Sequence, residues 1–135
     1  MKTGLTEQQI VKMKVEFEVV VTNEDIDDIM CSALEGGINY WCCKAEVIGD
    51  YLGEYGSDQI SRGGQLKLHD YEDNQDYILT REKFVEGFKR YLKEPGATDI
   101  LEFDDRKLKV DCGQVDAEVA DSIIQYALFD DVIYG

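Results

Sequence analysis

One histidine, one proline and one tryptophan are all that this 135-residue chain contains, and 14 lysines and arginines stand against 29 aspartates and glutamates. Each scarcity excludes something. With His69 alone, no multi-histidine metal site can be built, and any Ser/His/Asp or Cys/His arrangement would have to use that residue. The four cysteines, Cys31, Cys42, Cys43 and Cys112, form no C-x-x-C pair, which removes zinc knuckles and thioredoxin-like motifs and leaves reduced, packed thiols. No apolar run approaches the roughly 20 residues of a membrane span, and Met1-Lys2-Thr3-Gly4-Leu5 does not begin a secretory signal, so a soluble, intracellular protein is expected. The formal charge of −15 and a pI near 4.3 argue against broad attachment to polymeric nucleic acid or to an anionic membrane. A small anion could still bind in a local basic pocket.

What is present is enough to fold. Hydrophobic residues make up 44% of the chain and aromatics 10%, which supplies a core for one domain but is too little for two. Residues 1 to 12 read as a polar N-terminal arm with a possible capping box from Thr6 to Gln9, and residues 13 to 135 as a single domain. Val15, Phe17, Val19 and Val21 alternate with Lys14, Glu16 and Glu18, the period-two signature of a strand with one buried face. Thr22 or Asn23 then caps a helix striped by Ile26, Ile29, Met30, Ala33 and Leu34, and Gly36-Gly37 ends it. Asp25, Asp27 and Asp28 sit at its positive end, where capping and the macrodipole account for them.

Further along, Ile38 to Ile48 is rich in strand formers. A hairpin is expected from Leu66-Leu68 through the bend at 70–76 to Tyr77-Ile78-Leu79. The acidic bend resembles a calcium loop but has Gln75 where the turn needs glycine and Arg81 where the bidentate glutamate belongs, so a solvated hairpin bend is the better reading. Thr80 caps a second helix striped by Phe84, Val85, Phe88, Tyr91 and Leu92 and stopped by Pro95-Gly96. A second hairpin follows across Ile100 to Phe103 and Lys107 to Val110, with Asp104-Asp105 at the bend. Asp116 caps a third helix, and Val132-Ile133-Tyr134 closes the chain as a strand. The fold class is α+β, with a mostly antiparallel sheet and about three helices.

The stretch from Gly49 to Gly64 carries five glycines, Tyr51, Tyr55, Gln59, Ser61 and Arg62. A nucleotide asks for a ring to stack on, a guanidinium for phosphate, amides for base edges, and glycines that let backbone N–H groups come close. Tyr55, Gln59, Ser61, Arg62, Gly63 and Gly64 supply these, although the glycines match no Walker or G-x-G-x-x-G pattern. The plain alternative is an irregular crossing loop whose tyrosines fill the edge of the core. Arginine scarcity narrows the search, because Arg81 and Arg90 lie among Glu82, Glu86 and Glu94 on the second helix, where surface pairing explains them. Arg62 and Arg106, in or beside turns, are then the candidates for an anion. Asn39 and Trp41 offer an amide and a ring, and Phe103 beside Arg106 a further ring, with core packing as the alternative for both aromatics.

Read together, Thr22-Asn23-Glu24-Asp25-Ile26-Asp27-Asp28-Ile29-Met30, Ala33-Leu34-Glu35-Gly36-Gly37-Ile38-Asn39-Tyr40-Trp41-Cys42, Ser57-Asp58-Gln59-Ile60-Ser61-Arg62-Gly63-Gly64 and Ile124-Gln125-Tyr126-Ala127-Leu128-Phe129 resemble the phage-encoded Thoeris anti-defence sponges. The resemblance spans the chain from the strand at Val15 to its end. It implies a binding protein without turnover, catalytic residues or cofactor, working in the host bacterial cytoplasm. Members capture cyclic ADP-ribose isomers in pockets between protomers, and some assemble into hexamers that hold cyclic oligonucleotides at separate pockets. A homo-oligomer, dimer or hexamer, is therefore expected. The resemblance does not place the family's contact residues one by one on this chain. Two other classes stand beside it: an acidic DNA mimic or protein-binding inhibitor of a host defence protein, supported by charge, and an enzyme that destroys a nucleotide signal through Asp and Glu.

Overall fold

The computed structural model describes residues 9–72 and 74–135. The helices form where the caps direct. Thr22 accepts from the Asp25 N–H at 3.0 Å while Asp25 accepts from the Thr22 N–H at 2.9 Å, a reciprocal box that opens α1 (Asn23–Ser32). Thr80 caps α2 (Arg81–Tyr91) through the Lys83 N–H, and Asp116 caps α3 (Ala117–Phe129) through the Val119 N–H. Gly36 and Gly37 do not stop the first helix; they lie in a π-helical turn, Ala33–Gly37, that extends it. A Cβ on Gly37 would stand 2.6 Å from the Ala117 carbonyl, so glycine lets the end of α1 press against the start of α3.

Two three-stranded sheets flank the helices. One runs β2 (Cys42–Ile48), β3 (Gln65–Asp70) and β4 (Asp76–Leu79), all antiparallel, and contains the expected first hairpin. The other has the order β1 (Val19–Val20), β6 (Lys107–Val110), β5 (Leu101–Asp104), with β1 parallel to β6. The turn between β5 and β6 is Asp105-Arg106, one residue later than the sequence suggests, and both residues have positive φ (47° and 67°), as a type I′ hairpin requires. The α+β class and the mostly antiparallel pairing are thus observed. Between sheets and helices lies one core, in which Ile29, Met30, Leu66, Leu68, Phe84, Ile123 and Ile124 are fully buried.

Three further expectations need correction. The strand foreseen over Val15–Val21 reduces to Val19–Val20, and Val15 and Phe17 are exposed, because among the described residues their face meets little beyond the edge-on ring of Phe103. The closing strand at Val132-Ile133-Tyr134 does not form: the N–H groups of Ile133 and Tyr134 both donate to Gln125 Oε1 at 2.8 Å, so one side chain replaces a strand partner. The cysteines are free, as expected, yet Cys43 is on the surface and not packed. Thr6 of the proposed capping box lies outside the described residues, while Ile10 and Val11 of the proposed arm are exposed. No helix among the described residues is long and apolar enough to cross a membrane.

A buried polar network ties these parts together. Asp70 accepts from the Glu72 N–H at 2.8 Å and from the Tyr134 hydroxyl, which hold its carboxyl below the usual aspartate range. A depressed pKa stabilises the fold above about pH 3.9, the ordinary value, and that contribution fades as pH falls through the lowered one. Tyr134→Phe removes one of those donors. The melting-temperature gap between parent and variant is therefore expected to be largest near neutral pH and to narrow as pH falls through the lowered Asp70 value; a gap that does not depend on pH would show that the Tyr134 contact does not act through Asp70's ionisation.

Candidate functional site

The Gly49–Gly64 stretch is a folded loop built around its own polar side chains. Gln59 is completely buried, accepting from the Leu52 N–H through Oε1 at 2.9 Å and donating through Nε2 to the Tyr55 carbonyl at 2.9 Å. Ser61 is buried and donates to Asp27 at 2.5 Å, so Asp27 does more than load a helix end: it anchors the loop to α1. Arg62 reaches the Asp58 carbonyl through Nη1 at 3.0 Å, with carboxylate oxygens of Asp27 and Asp58 at 3.8 and 3.9 Å. Its Nε and Nη2 make no hydrogen bond among the described residues, and its side chain is 45% exposed. Gly63 turns the chain with a φ of 85°, and Gly64 packs on the Gln59 carbonyl. Tyr55 and Tyr51 are exposed on the loop's surface. Of the loop residues singled out, Tyr55 and Arg62 therefore face solvent, while Gln59 and Ser61 are committed to bracing.

The remaining candidates lie elsewhere. Trp41 is 3% exposed; its indole N–H donates to Asp121 at 2.8 Å and its ring stacks on Tyr134 at 4.9 Å, so the chain's own side chains occupy it. Asn39 borders a shallow cavity of about 300 Å³ with Cys43 and Tyr71. Phe103 is exposed and meets Phe17 edge to face at 5.9 Å, with Arg106 at the adjoining turn. Among the described residues no hydrogen bond, ion pair or ring contact joins the loop, Trp41 and the hairpin tip. His69 lies between Glu46 (2.9 Å) and Asp76 (2.7 Å) across the strands of its own sheet. Burial pushes the Cys31, Cys42 and Cys112 thiols up, the last to about 12, with the Asp25 carboxylate adding to the effect at Cys112. Among the described residues no group of three or more His, Cys, Asp or Glu side chains could hold a metal ion.

A second cleft, which sequence reasoning missed, opens between the C-terminal halves of α2 and α3. Its volume is about 530 Å³, and Lys89, Arg90, Lys93 and Tyr126 line it together with Glu86 and Asp130. The Arg90 guanidinium lies 4.8 Å above the centre of the Tyr126 ring and is steered there by Glu94, whose Oε1 accepts from Nη1 at 2.5 Å. Of the surface pairing expected for Arg81 and Arg90, that of Arg90 is observed, with the stacking in addition, while Arg81 has no carboxylate within ion-pair distance among the described residues. Burial, and then the Glu94 carboxylate, raise the Tyr126 hydroxyl pKa, so it stays a neutral donor. Lys89 and Lys93 have no carboxylate within ion-pair distance among the described residues. Two unpaired ammonium groups beside a fixed guanidinium and an aromatic wall can hold a phosphate next to a planar group. The signal in the sequence was the run of three cations Lys89, Arg90 and Lys93 at the end of α2; Tyr126, on another helix, gave no local hint.

Comparison with known proteins adds no relative: no family model, curated protein or solved structure matches this chain.

Proposed function

We propose that this chain captures a cyclic nucleotide immune signal, a cyclic ADP-ribose isomer or a cyclic oligonucleotide, and holds it uncleaved, so that Thoeris or CBASS effectors in the host bacterial cytoplasm are not activated. The supporting observation is the cleft in which Lys89 and Lys93 have no ion-pair partner among the described residues and stand beside the Arg90–Tyr126 stack, on a chain whose net charge of −15 repels anions elsewhere. Its volume of about 530 Å³ is that of an ordinary small-molecule site. The resemblance of the quoted segments to the anti-defence sponges supplies the ligand class and the expectation of a homo-oligomer.

A second reading places the phosphate at Arg62, where Nε and Nη2 are unoccupied and Tyr55 is exposed beside it. Asp27 and Asp58 already offset that charge, which favours the cleft. Calorimetric titration with a cyclic ADP-ribose isomer and with a cyclic oligonucleotide separates the two. A charge-assisted contact is worth roughly 1.5 to 3 kcal/mol, so Lys89→Ala with Lys93→Ala should weaken binding at least ten-fold while Arg62→Ala changes it little. The reverse order would move the site to the loop. Heating the loaded protein then tests turnover: a sponge releases the nucleotide intact, an enzyme releases product, and a DNA mimic or protein-binding inhibitor releases nothing.

A further inference from the structure

Residues 10–18 form neither helix nor strand and are exposed throughout, yet their pattern is that of a strand. Val11, Met13, Val15, Phe17 and Val19 alternate with Lys12, Lys14, Glu16 and Glu18. The apolar members are far too exposed for a settled surface, Val11 at 82% and Met13 at 79%. β1 is the edge of its sheet, so the segment leading into it presents an unpaired edge. Beneath the same apolar face runs a groove of about 490 Å³, walled by Phe17, Val19 and Val21 on one side and Val85, Phe88 and Leu92 of α2 on the other.

We propose that this segment pairs antiparallel with the same segment of a second copy of the chain, about a two-fold axis through Val15. The charges select that partner and that register. With Val15 opposite the partner's Val15, Lys14 faces the partner's Glu16 and Lys12 the partner's Glu18, and symmetry repeats both pairs. Sliding the register by one step in either direction that keeps the apolar face together sets Lys14 against the partner's Lys14, or Glu16 against the partner's Glu16. Like charges directly opposite one another are unfavourable, so those registers lose.

The backbone agrees with the same register. The Glu18 carbonyl faces β6, accepting from the Leu108 N–H at 3.4 Å, so in a continued strand the polar groups of even-numbered residues point toward that side. Those of the odd-numbered residues then point to the open edge. In the proposed ribbon the odd residues form the hydrogen-bonded pairs, and the lysine–glutamate pairs fall at the non-hydrogen-bonded positions, where side chains are closest. On the apolar face Val11 meets the partner's Val19 and Met13 the partner's Phe17, which lays Val11 and Met13 over the mouth of the partner's groove. The two three-stranded sheets become one continuous sheet. This inference does not rest on nucleotide capture.

Two charge variants of the full chain test it by light scattering at micromolar concentration. Lys12→Glu with Lys14→Glu makes the ribbon wholly acidic, and Glu16→Lys with Glu18→Lys makes it wholly basic; every altered residue is exposed, and circular dichroism checks that the fold is kept. Each variant alone is expected at half the parent's mass, and an equal mixture of the two at the parent's mass. A monomeric parent, or variants that retain the parent's mass, would overturn the proposal, the latter while leaving self-association through another face in place. A mixture that stays dissociated would overturn the register.

Discussion

Asp121→Ala is expected to lower the stability of the fold by about 3 kcal/mol or more, read as a fall of roughly 1–3 M in the urea midpoint. The carboxylate is buried and accepts three side-chain hydrogen bonds, from the Tyr40 hydroxyl at 2.6 Å, Trp41 Nε1 at 2.8 Å and Gln125 Nε2 at 2.9 Å. Alanine strands the buried indole N–H of Trp41, a loss of about 1–3 kcal/mol, and removes the two further charge-assisted bonds, although Gln125 Nε2 keeps the Tyr40 hydroxyl and the Tyr134 carbonyl and Tyr40 is exposed to water. Tyr40 carries a second mark of the contact: burial and the Asp121 carboxylate together push its hydroxyl up to about 12. Asp121→Asn keeps the shape and one acceptor, so it should lose about 1 kcal/mol. Equal losses for the two variants would mean that the charge, and not the hydrogen-bond count, is what the network needs.

Gly87→Ala is expected to cost about 2–3 kcal/mol, a sign opposite to its helix propensity. In an exposed helix interior the change would gain about 1 kcal/mol. Here the added Cβ would stand 2.4 Å from the Ala127 nitrogen and 2.5 Å from its Cα, so the obstacle is backbone and α2 must move away from α3. Trimming the neighbour with Ala127→Gly does not remove those two atoms, and the double variant should stay as weak as the single. The displacement also reaches the cleft, because Ala127 lines it beside Tyr126 and Arg90 leaves α2 on the next turn. Thermal melts measure the stability loss. Titration with a cyclic nucleotide should show weakened binding at temperatures where the variant is still folded; unchanged affinity there would argue that the α2–α3 spacing does not shape the site.

The three helices were legible because each carries its own local instruction: a capping side chain at Thr22, Thr80 or Asp116, followed by an apolar stripe of helical period. Both hairpins were legible for the same reason. What failed depended on distance. Alternation at Val15 and Phe17 announces that a face is to be covered but not by what, and among the described residues only the edge-on ring of Phe103 meets it. The C-terminal segment reads as a strand by composition, and only the buried amide of Gln125, four residues after Asp121 beside the apolar stripe of α3, shows that its backbone is satisfied differently. The glycine-rich loop looked open because glycine, tyrosine and arginine suit a ligand as well as a turn. That it braces itself becomes clear only through the buried Gln59, whose two ends bind the loop's own backbone. The Arg90–Tyr126 stack joins helices that are separate in sequence, so no window along the chain could contain it.

The lone tryptophan has a consequence for how this protein can be watched. Its emission comes from one ring, buried among Tyr77, Phe129 and Tyr134 and parallel to the last of these within 3°. Tyr134 belongs to the segment that Gln125 fastens by two backbone contacts, so detaching that segment would uncover one face of the indole to water. The expected signature is a red shift and a change in intensity with no loss of helical signal. Intrinsic fluorescence is therefore a reporter of that fastening, one that needs no label, and Phe129, which touches the indole and also lines the cleft between α2 and α3, connects the reporter to that cleft.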